Sequence, residues 1–214
     1  MSLVRKSELM QIAKEKISDQ DVSHDFQHAL RVLSNVEKIA KQEGGNLEVL
    51  IPAALFQDLI VYPKNHPHRL RSQEESAVFA AQILQDLNYK PEIINQVKTC
   101  ILECSFSKGI IPDLLESKIL QDADSLEATG AISIMRTFSS SGQMKRPFYH
   151  AEDPFAETRD FDDSGFALDL FFTRLLKVED RMHTATAKKI ARNRTDFLYN
   201  FLEQTKKELS LMEG

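Results

Sequence analysis

Four residues have the types needed to hold a divalent metal ion: His28, Gln57, Asp58 and Asp124. One imidazole and two carboxylates make a borderline-hard ligand set, which suits Mn²⁺, Fe²⁺ or Mg²⁺ better than it suits structural zinc. Such a set leaves coordination positions open for water and for a phosphate oxygen. A metal ion held there could polarise a phosphoryl group and lower the pKa of a bound water, which is the chemistry of phosphate hydrolysis.

Each of these residues can also be interpreted without a metal. A single histidine such as His28 on the inner face of a helix is more often a hydrogen-bonded core residue than a ligand, and Asp58 at a helix end could bond nearby backbone. Asp122 and Asp124 could be solvated charges, although core-type residues surround them in the sequence. A carboxylate among such residues needs a partner to offset the cost of removing it from water. The residue types alone leave both interpretations open.

Further candidates could move protons during hydrolysis. Hydrolysis needs a general base or a metal-bound hydroxide, and Asp122 and His24 are the base candidates that lie closest in sequence to the ligand candidates. His24 and Asp25 stand one helical turn before His28, where one of them could orient a ligand or activate the attacking water. Equally, they could only cap the helix that carries His28. The predicted catalytic residues are therefore Asp122, His24 and Asp25, with helix capping as the alternative.

A cationic segment follows Asp58 after a short gap. It reads Lys64-Asn65-His66-Pro67-His68-Arg69-Leu70-Arg71, in a chain whose net charge is −5. Arginine offers a forked set of donors and lysine a point charge, so the segment could grip a phosphate beside the metal. The alternative is a solvated loop whose cations balance the acidic residues that follow it. Lys64, His66 and Arg71 are the predicted substrate-binding residues.

The elements that must position these residues are helices. Apolar residues recur with helical period in nearly every segment, and none shows sustained alternation. Pro52 should kink its helix or mark a late start, because proline lacks the backbone donor and clashes with the preceding turn. The predicted helices are a first ending near Ser18, a second capped by Ser23 and stopped at Gly44, a third capped by Asn46 and running from Leu47 to about Ile60, a fourth opened by a Ser72 capping box and ending at Leu87, a fifth from Pro91, a sixth from Asp113 or Ser117, and two last ones over about 165–181 and 186–212.

Residues 139–164 do not follow the helical pattern. Ser139-Ser140-Ser141-Gly142 opens a polar stretch that contains Pro147 and Pro154 and has no clear period. A loop of that length inside a compact domain is usually functional or partly mobile, so we predict a lid or a specificity loop. Since no repeat or composition break marks a boundary, the expected fold is a single all-α domain over residues 1–214, with its motifs between about 20 and 200.

Composition restricts the classes of partner. The net charge of −5 gives no general attraction to nucleic acid or to an anionic membrane. Cys100 and Cys104 are four apart in a helical pattern, which favours two small apolar residues over a disulfide or a zinc site and fits a reducing compartment. No secretory signal and no apolar stretch of membrane-spanning length is present in the sequence. We expect a cytoplasmic protein that binds neither nucleic acid nor membrane.

Short motifs follow one another in order over about residues 20–200. They are Ser23-His24-Asp25-Phe26-Gln27-His28-Ala29-Leu30-Arg31-Val32, Ala53-Ala54-Leu55-Phe56-Gln57-Asp58, Lys64-Asn65-His66-Pro67, Gln121-Asp122-Ala123-Asp124-Ser125-Leu126-Glu127-Ala128, Gly130-Ala131-Ile132, Arg136-Thr137-Phe138 and Asp153-Pro154-Phe155. In order and spacing they resemble the HD-domain metal-dependent phosphohydrolases, especially the small cytosolic HD hydrolases of bacteria. The resemblance implies an all-α fold in which His28, position 57, Asp58 and Asp124 hold the metal. It also implies hydrolysis of a phosphate ester or of a nucleotide pyrophosphate.

Gln57 departs from the family pattern, which has His-Asp where this chain has Gln57-Asp58. A glutamine oxygen can ligate a metal, but it is neutral and a poorer donor than imidazole for transition metals. Loss of a group that only supports a ligand typically costs about 10–100-fold in affinity or activity, and loss of a ligand should cost at least that. The chain could be an enzyme with weakened binding or a shifted metal preference, a metal-free binding protein, or a variant of an active parent.

Two functions of different class remain. The first is a metal-dependent phosphohydrolase of a small phosphorylated metabolite, with a nucleotide as the best guess and Mn²⁺ or Mg²⁺ as the expected ion; Fe²⁺, Co²⁺ and Ni²⁺ are alternatives. The second is a catalytically silent protein that binds a nucleotide or phosphate ligand. Only the enzyme should hold a divalent ion. Phe197, Phe201 and Leu202 of the last helix could pack internally or form the face of a homodimer.

Overall fold

The computed structural model of the chain describes residues 3–18, 21, 23–62, 66–105 and 109–210. Within these residues the regular elements are helices and no strand occurs, so the predicted all-α class is confirmed. The α-helices are α1 (Leu3–Lys16), α2 (Phe26–Glu43), α3 (Leu47–Phe56), α4 (Ser72–Asp86), α5 (Pro91–Glu103), α6 (Leu115–Ser125), α7 (Gly130–Gln143), α8 (Asp169–Thr173) and α9 (Ala185–Ser210).

The chain divides into two compact units, Met1–Asp124 and Ser125–Gly214. The single domain expected over residues 1–214 stays a prediction. None of the helices in the described residues combines the length and the apolar character needed to cross a bilayer.

Helix α3 forms the centre of the first unit. All of its residues from Val49 to Phe56 are buried, and it contacts α1, α2, α4 and α5. A helix that is apolar on every side is stable only inside a core. Asn46 caps it as predicted, accepting from the backbone N–H of Glu48 at 2.9 Å. The helix ends at Phe56, earlier than the predicted Ile60. It continues through Pro52, so of the two alternatives at this proline the late start is wrong and the kink stays a prediction.

Helix α2 packs its buried face against α3. It stops at Gly44, whose φ of 87° is a conformation that glycine adopts without strain, and this predicted stop is confirmed. Its N-cap is Asp25, so the prediction of Ser23 as the cap is wrong and the capping alternative for Asp25 is confirmed. The Asp25 carboxylate accepts from the backbone N–H of His28 at 2.8 Å, a contact that satisfies one of the free donors at the helix start.

The starts of α4, α5 and α6 were predicted with mixed success. Pro91 is the first residue of α5, as predicted, because a helix start needs no donor there. Helix α4 begins at Ser72, but the 3-10 turn Arg69–Arg71 leads directly into it and no side chain caps it, so the predicted capping box does not form. Helix α6 begins at Leu115, between the two predicted starts.

In the second unit, α7 extends to Gln143 and includes the serines that were predicted to break it. The hydroxyl of Ser141 donates to the carbonyl of Thr137 at 2.7 Å, so its polar group is satisfied within the helix. The helix predicted over 165–181 is wrong. It is reduced to α8 and two 3-10 turns, Leu175–Lys177 and Glu179–Arg181.

Contacts from the irregular segment before α8 account for this interruption. Arg174, with φ −132° and ψ −58°, leaves the helical path directly after α8, and its guanidinium pairs with Asp163 at 2.9 Å. Asp169 is fully buried at the start of α8, where it binds Arg159. These tertiary contacts outweigh the helical periodicity of the sequence.

A buried cluster joins the α8 region to α9 and contains Leu168, Phe171, Leu175, Leu198 and Leu202. Phe201 packs against this cluster, so two residues of the suggested dimer face lie inward. Phe197 is 48% exposed. The homodimer stays a prediction, and Phe197 is the solvent-exposed residue of the suggested dimer face.

The irregular segment between α7 and α8 is held by its own polar contacts. The Asp153 carboxylate accepts from the backbone N–H groups of Glu157 at 2.8 Å and Thr158 at 2.9 Å. The hydrogen bonds from Thr158 and then Glu157 lower the pKa of Asp153 to about 2. These hydrogen bonds hold the backbone of the segment in one conformation around Asp153. Its role as a lid or specificity loop stays a prediction.

Candidate metal centre

Three of the predicted ligands converge in the first unit. His28 Nε2 lies 3.2 Å from Asp58 Oδ2 and 3.4 Å from Asp124 Oδ1, and the three donor atoms lie within 4.8 Å of one another. The imidazole is 1% exposed, whereas the carboxylates are 24% and 37% exposed. A buried nitrogen and two outward-facing oxygens therefore form a site that is closed on the protein side and open to solvent on the other.

Each ligand candidate is placed by a helix terminus or by the core. Asp25 fixes the first turn of α2 through the backbone of His28. Asp58 follows the last residue of α3 by two positions, where the backbone no longer obstructs the side chain. Asn35, buried on α2, donates its amide to the carbonyl of Ala123 at 3.2 Å and so fixes the end of α6 beside Asp124. Sequence reasoning did not identify Asn35.

The donor set fits a divalent ion. Two ligands of one ion, bound at about 2.1 Å and at right angles, lie about 3 Å apart, which is close to the separations from His28. The two carboxylates, whose ligand oxygens lie within 4.8 Å of each other, repel one another and so favour a cation between them. Of the described residues, His28, Asp58 and Asp124 would hold the ion.

Gln57 lies beside this cluster and is 4% exposed. Its amide Nε2 donates to Asp124 Oδ1 at 3.1 Å, and its Oε1 accepts from the thiol of Cys104 at 2.9 Å. The amide oxygen therefore faces Cys104. The role of Gln57 as a fourth ligand stays a prediction.

Both cysteines are buried and free, as the sequence indicated. Burial raises the pKa of Cys100 to about 12. Burial, and then the charges of Asp124 and Asp58, raise the pKa of Cys104 well above its ordinary value. Cys104 also makes a polar contact, unlike an apolar core residue: its thiol donates to Gln57 beside the three ligand candidates. Only the spacing of Cys104 from Cys100 was visible in the sequence, and that spacing gave no sign of this contact.

The predicted catalytic residues lie in three different settings. The His24 ring packs edge-on against that of His28, with centroids 5.5 Å apart, and its Nδ1 lies 2.8 Å from Asp21 Oδ2. The hydrogen bond from His24 holds the pKa of Asp21 well below its usual range. Asp25 caps α2. Asp122 is 1% exposed and is not one of the three converging residues. Catalytic roles for these residues stay predictions.

The predicted substrate-binding residues are only partly described. Lys64 lies outside the described residues. His66 stacks on Tyr62 with centroids 4.5 Å apart, and the Tyr62 hydroxyl donates to Glu75 at 2.7 Å. Arg71 also approaches Glu75, at 3.4 Å. Tyr62 and Glu75, which were not predicted, thus link the two candidates, and substrate binding by His66 and Arg71 stays a prediction.

Comparison with known proteins establishes the family. The HD domain profile matches residues 25–129, a range that includes His28, Asp58 and Asp124. The YpgQ protein of Bacillus subtilis is 30% identical over 199 residues, a match that covers 90% of this chain and 88% of YpgQ. The chain belongs to the HD-domain superfamily. The predicted family is thereby confirmed.

Solved structures of HD-domain proteins support the fold of the whole chain. A crystal structure of B. subtilis YpgQ in complex with ADP has a TM-score of 0.76 at 27% identity, covering 96% of this chain and 95% of that one. The crystal structure of an HD-superfamily hydrolase from Bacillus thuringiensis has a TM-score of 0.75 at 29% identity, covering 97% of each chain. This HD-domain protein therefore shares its fold with HD-superfamily hydrolases.

Proposed function

We propose that this HD-domain protein is a divalent-metal-dependent phosphohydrolase of a small phosphorylated metabolite, with nucleotides as the substrate class. The convergence of His28, Asp58 and Asp124 is the observation that carries the proposal. Mn²⁺ or Mg²⁺ is the expected ion, because carboxylate oxygens supply most of the set. The bond cleaved would be a phosphate ester or a pyrophosphate.

The protein side of the site can perform definite tasks. His28 is held in place by burial, so its Nε2 has a fixed position as a metal ligand. The partly exposed Asp58 and Asp124 leave the outer side of the site open to a phosphate group. A divalent ion bound there would polarise the phosphoryl group and lower the pKa of a bound water. His24 is hydrogen-bonded to Asp21 and packs against the ring of His28, so it could accept a proton from a water molecule beside the metal centre.

The choice of nucleotides rests on the relatives. YpgQ of B. subtilis, which shares the fold over nearly the whole chain, was crystallised with ADP. A nucleotide presents a phosphate chain that a metal centre can bind and a base that aromatic side chains can stack upon. The Tyr62–His66 stack is a candidate for that second contact.

A catalytically silent binding protein is the second candidate. The observation that favours it is Gln57, which stands where the family pattern has a histidine ligand. The amide oxygen of Gln57 faces Cys104. Such a protein would bind a nucleotide or phosphate without turnover.

Two measurements distinguish the two candidate functions: Mn²⁺ binding, and the release of phosphate or pyrophosphate from a panel of nucleotides. The chain should be compared with Gln57→His and with Asp58→Ala as the site-disrupting control. Metal binding with turnover by the chain itself, lost in Asp58→Ala, supports the enzyme. Turnover by Gln57→His alone would make the present chain a silenced hydrolase. Nucleotide binding without metal or turnover in either protein would contradict the enzyme and favour the binding protein.

A further inference from the structure

The Gln57 side chain uses both ends of its amide in contacts within the first unit. Its Nε2 donates to Asp124 Oδ1 at 3.1 Å, and its Oε1 accepts from Cys104 Sγ at 2.9 Å. Gln57 and Cys104 are each 4% exposed, so water has little access to either group. Contacts of this kind are more costly to lose in a buried setting than at the surface.

The chemistry of the two partners decides which way the amide points. A carboxylate only accepts hydrogen bonds, whereas a thiol donates and accepts only weakly. Rotation of the Gln57 amide by 180° would set its oxygen against the Asp124 carboxylate and its NH₂ group against sulfur. The orientation in the structure is thus the one that the hydrogen-bond network favours.

We infer that Cys104 is a positioning residue of the metal centre: its thiol keeps the Gln57 NH₂ group on Asp124, so that Gln57 supports this ligand as a donor and does not itself ligate the metal. The inference rests on the metal centre of the proposed function. Among the residues that the structure describes, the protein ligands are then His28, Asp58 and Asp124. Glutamine then replaces the family histidine by orienting a neighbouring carboxylate.

Cys100 supplies a matched control. It lies one turn earlier, on α5, it is buried as Cys104 is, and its sulfur accepts from the hydroxyl of Ser117 at 3.5 Å. Valine at either position removes a buried thiol and adds the same volume. Only the change at Cys104 removes the donor to Gln57, and Cys104→Ser keeps a donor there.

The first measurement uses the metal-free protein. The side-chain NH₂ resonances of Gln57 are observed in protein labelled with ¹⁵N-glutamine and are assigned with Gln57→Leu. We expect Cys104→Val and Asp124→Asn to shift them, and Cys100→Val to leave them in place. Resonances that respond equally to both cysteine variants, or to neither, would overturn the inference. Thermal unfolding of each variant verifies that it is folded.

The second measurement is the Mn²⁺ Kd, obtained from the electron paramagnetic resonance signal of free Mn²⁺. Loss of a group that orients a ligand typically weakens binding by about 10–100-fold, so Cys104→Val should raise the Kd by about tenfold and Cys104→Ser should restore it. In the Gln57→Leu background, Cys104→Val should have no further effect. An equal effect in both backgrounds, or tighter binding by Cys104→Val, would overturn the inference.

The two readouts separate this inference from the proposed function. If no variant binds Mn²⁺, the proposed metal centre fails and the support of a metal ligand fails with it, while the metal-free spectra still decide the Cys104–Gln57 contact. If the metal binds and nucleotides are not hydrolysed, the proposed function fails and the Kd values still decide the role of Cys104.

Discussion

The ion pair between Arg159 and Asp169 should be a principal support of the second unit. Asp169 is fully buried and accepts from Arg159 Nη1 at 2.5 Å, from Arg159 Nη2 at 2.8 Å and from the backbone N–H of Asp162 at 2.7 Å. The Arg159 guanidinium also lies over the ring of Phe166, 4.8 Å from its centroid. The pair therefore joins the irregular segment before α8 to the helix itself.

Arg159→Ala would leave the Asp169 carboxylate buried with its backbone donor but without its charged partner. Removal of one member of a buried pair typically lowers the free energy of unfolding by about 3–5 kcal/mol. Arg174→Ala is the matched control, since Arg174 pairs with Asp163 in the same segment but its side chain is 62% exposed. An exposed pair contributes only about 0–1 kcal/mol.

Urea unfolding followed by circular dichroism measures both free energies of unfolding, provided that the m-value is unchanged. We expect Arg159→Ala to lower the urea midpoint clearly and Arg174→Ala to change it little. The reasoning would be refuted if Arg159→Ala lost less than about 1 kcal/mol, or no more than Arg174→Ala, because burial of Asp169 would then not govern the cost.

The other predictions concern the metal centre, the buried thiols and the response to acid. Asp58→Asn should weaken Mn²⁺ binding by at least about tenfold in calorimetry, and unchanged affinity would remove Asp58 from the ligand set. Asn35→Leu should lower the free energy of unfolding in urea by about 1–3 kcal/mol, because the carbonyl of Ala123 loses its buried donor; a change within error would contradict this. Cys100 and Cys104 should react with a thiol reagent only in the unfolded protein, and rapid reaction in the native state would contradict their burial. The pKa of Asp153 is about 2 in the folded protein, below its unfolded value, so its stabilising contribution should be complete above about pH 4 and lost as the pH falls toward 2; Asp153→Asn should abolish this part of the acid dependence in unfolding titrations.

The sequence predicted the elements that carry the three converging residues, because local signals mark those elements. Asn46 caps α3 and Gly44 ends α2, and both could be recognised from residue type alone. Because α3 ends at Phe56, Gln57 and Asp58 both lie beyond the helix, where neighbouring side chains can approach one site.

Contacts between distant residues were not predictable from these patterns. One hydrogen-bond partner of Gln57 is Cys104, 47 positions further along the chain, and packing of α5 against α3 brings the two together. The interruption of the helix expected over 165–181 has a similar origin, since Arg159 and Asp163 bind residues of that stretch from outside it. Helical period reports which face is apolar, but it carries no information about such polar partners.

The burial of α3 from Val49 to Phe56 has a consequence for how the site unfolds. Amide protons exchange with solvent where a segment can open locally, and the most buried helices open only when the whole unit unfolds. Asp58 lies two residues beyond the end of this helix, while its carboxylate is 24% exposed. The site is therefore accessible to ions in its native state, yet it should not unfold separately from its surroundings. Exchange of the α3 amides should report global unfolding of the first unit, and a chelator should remove a bound ion without first opening this helix.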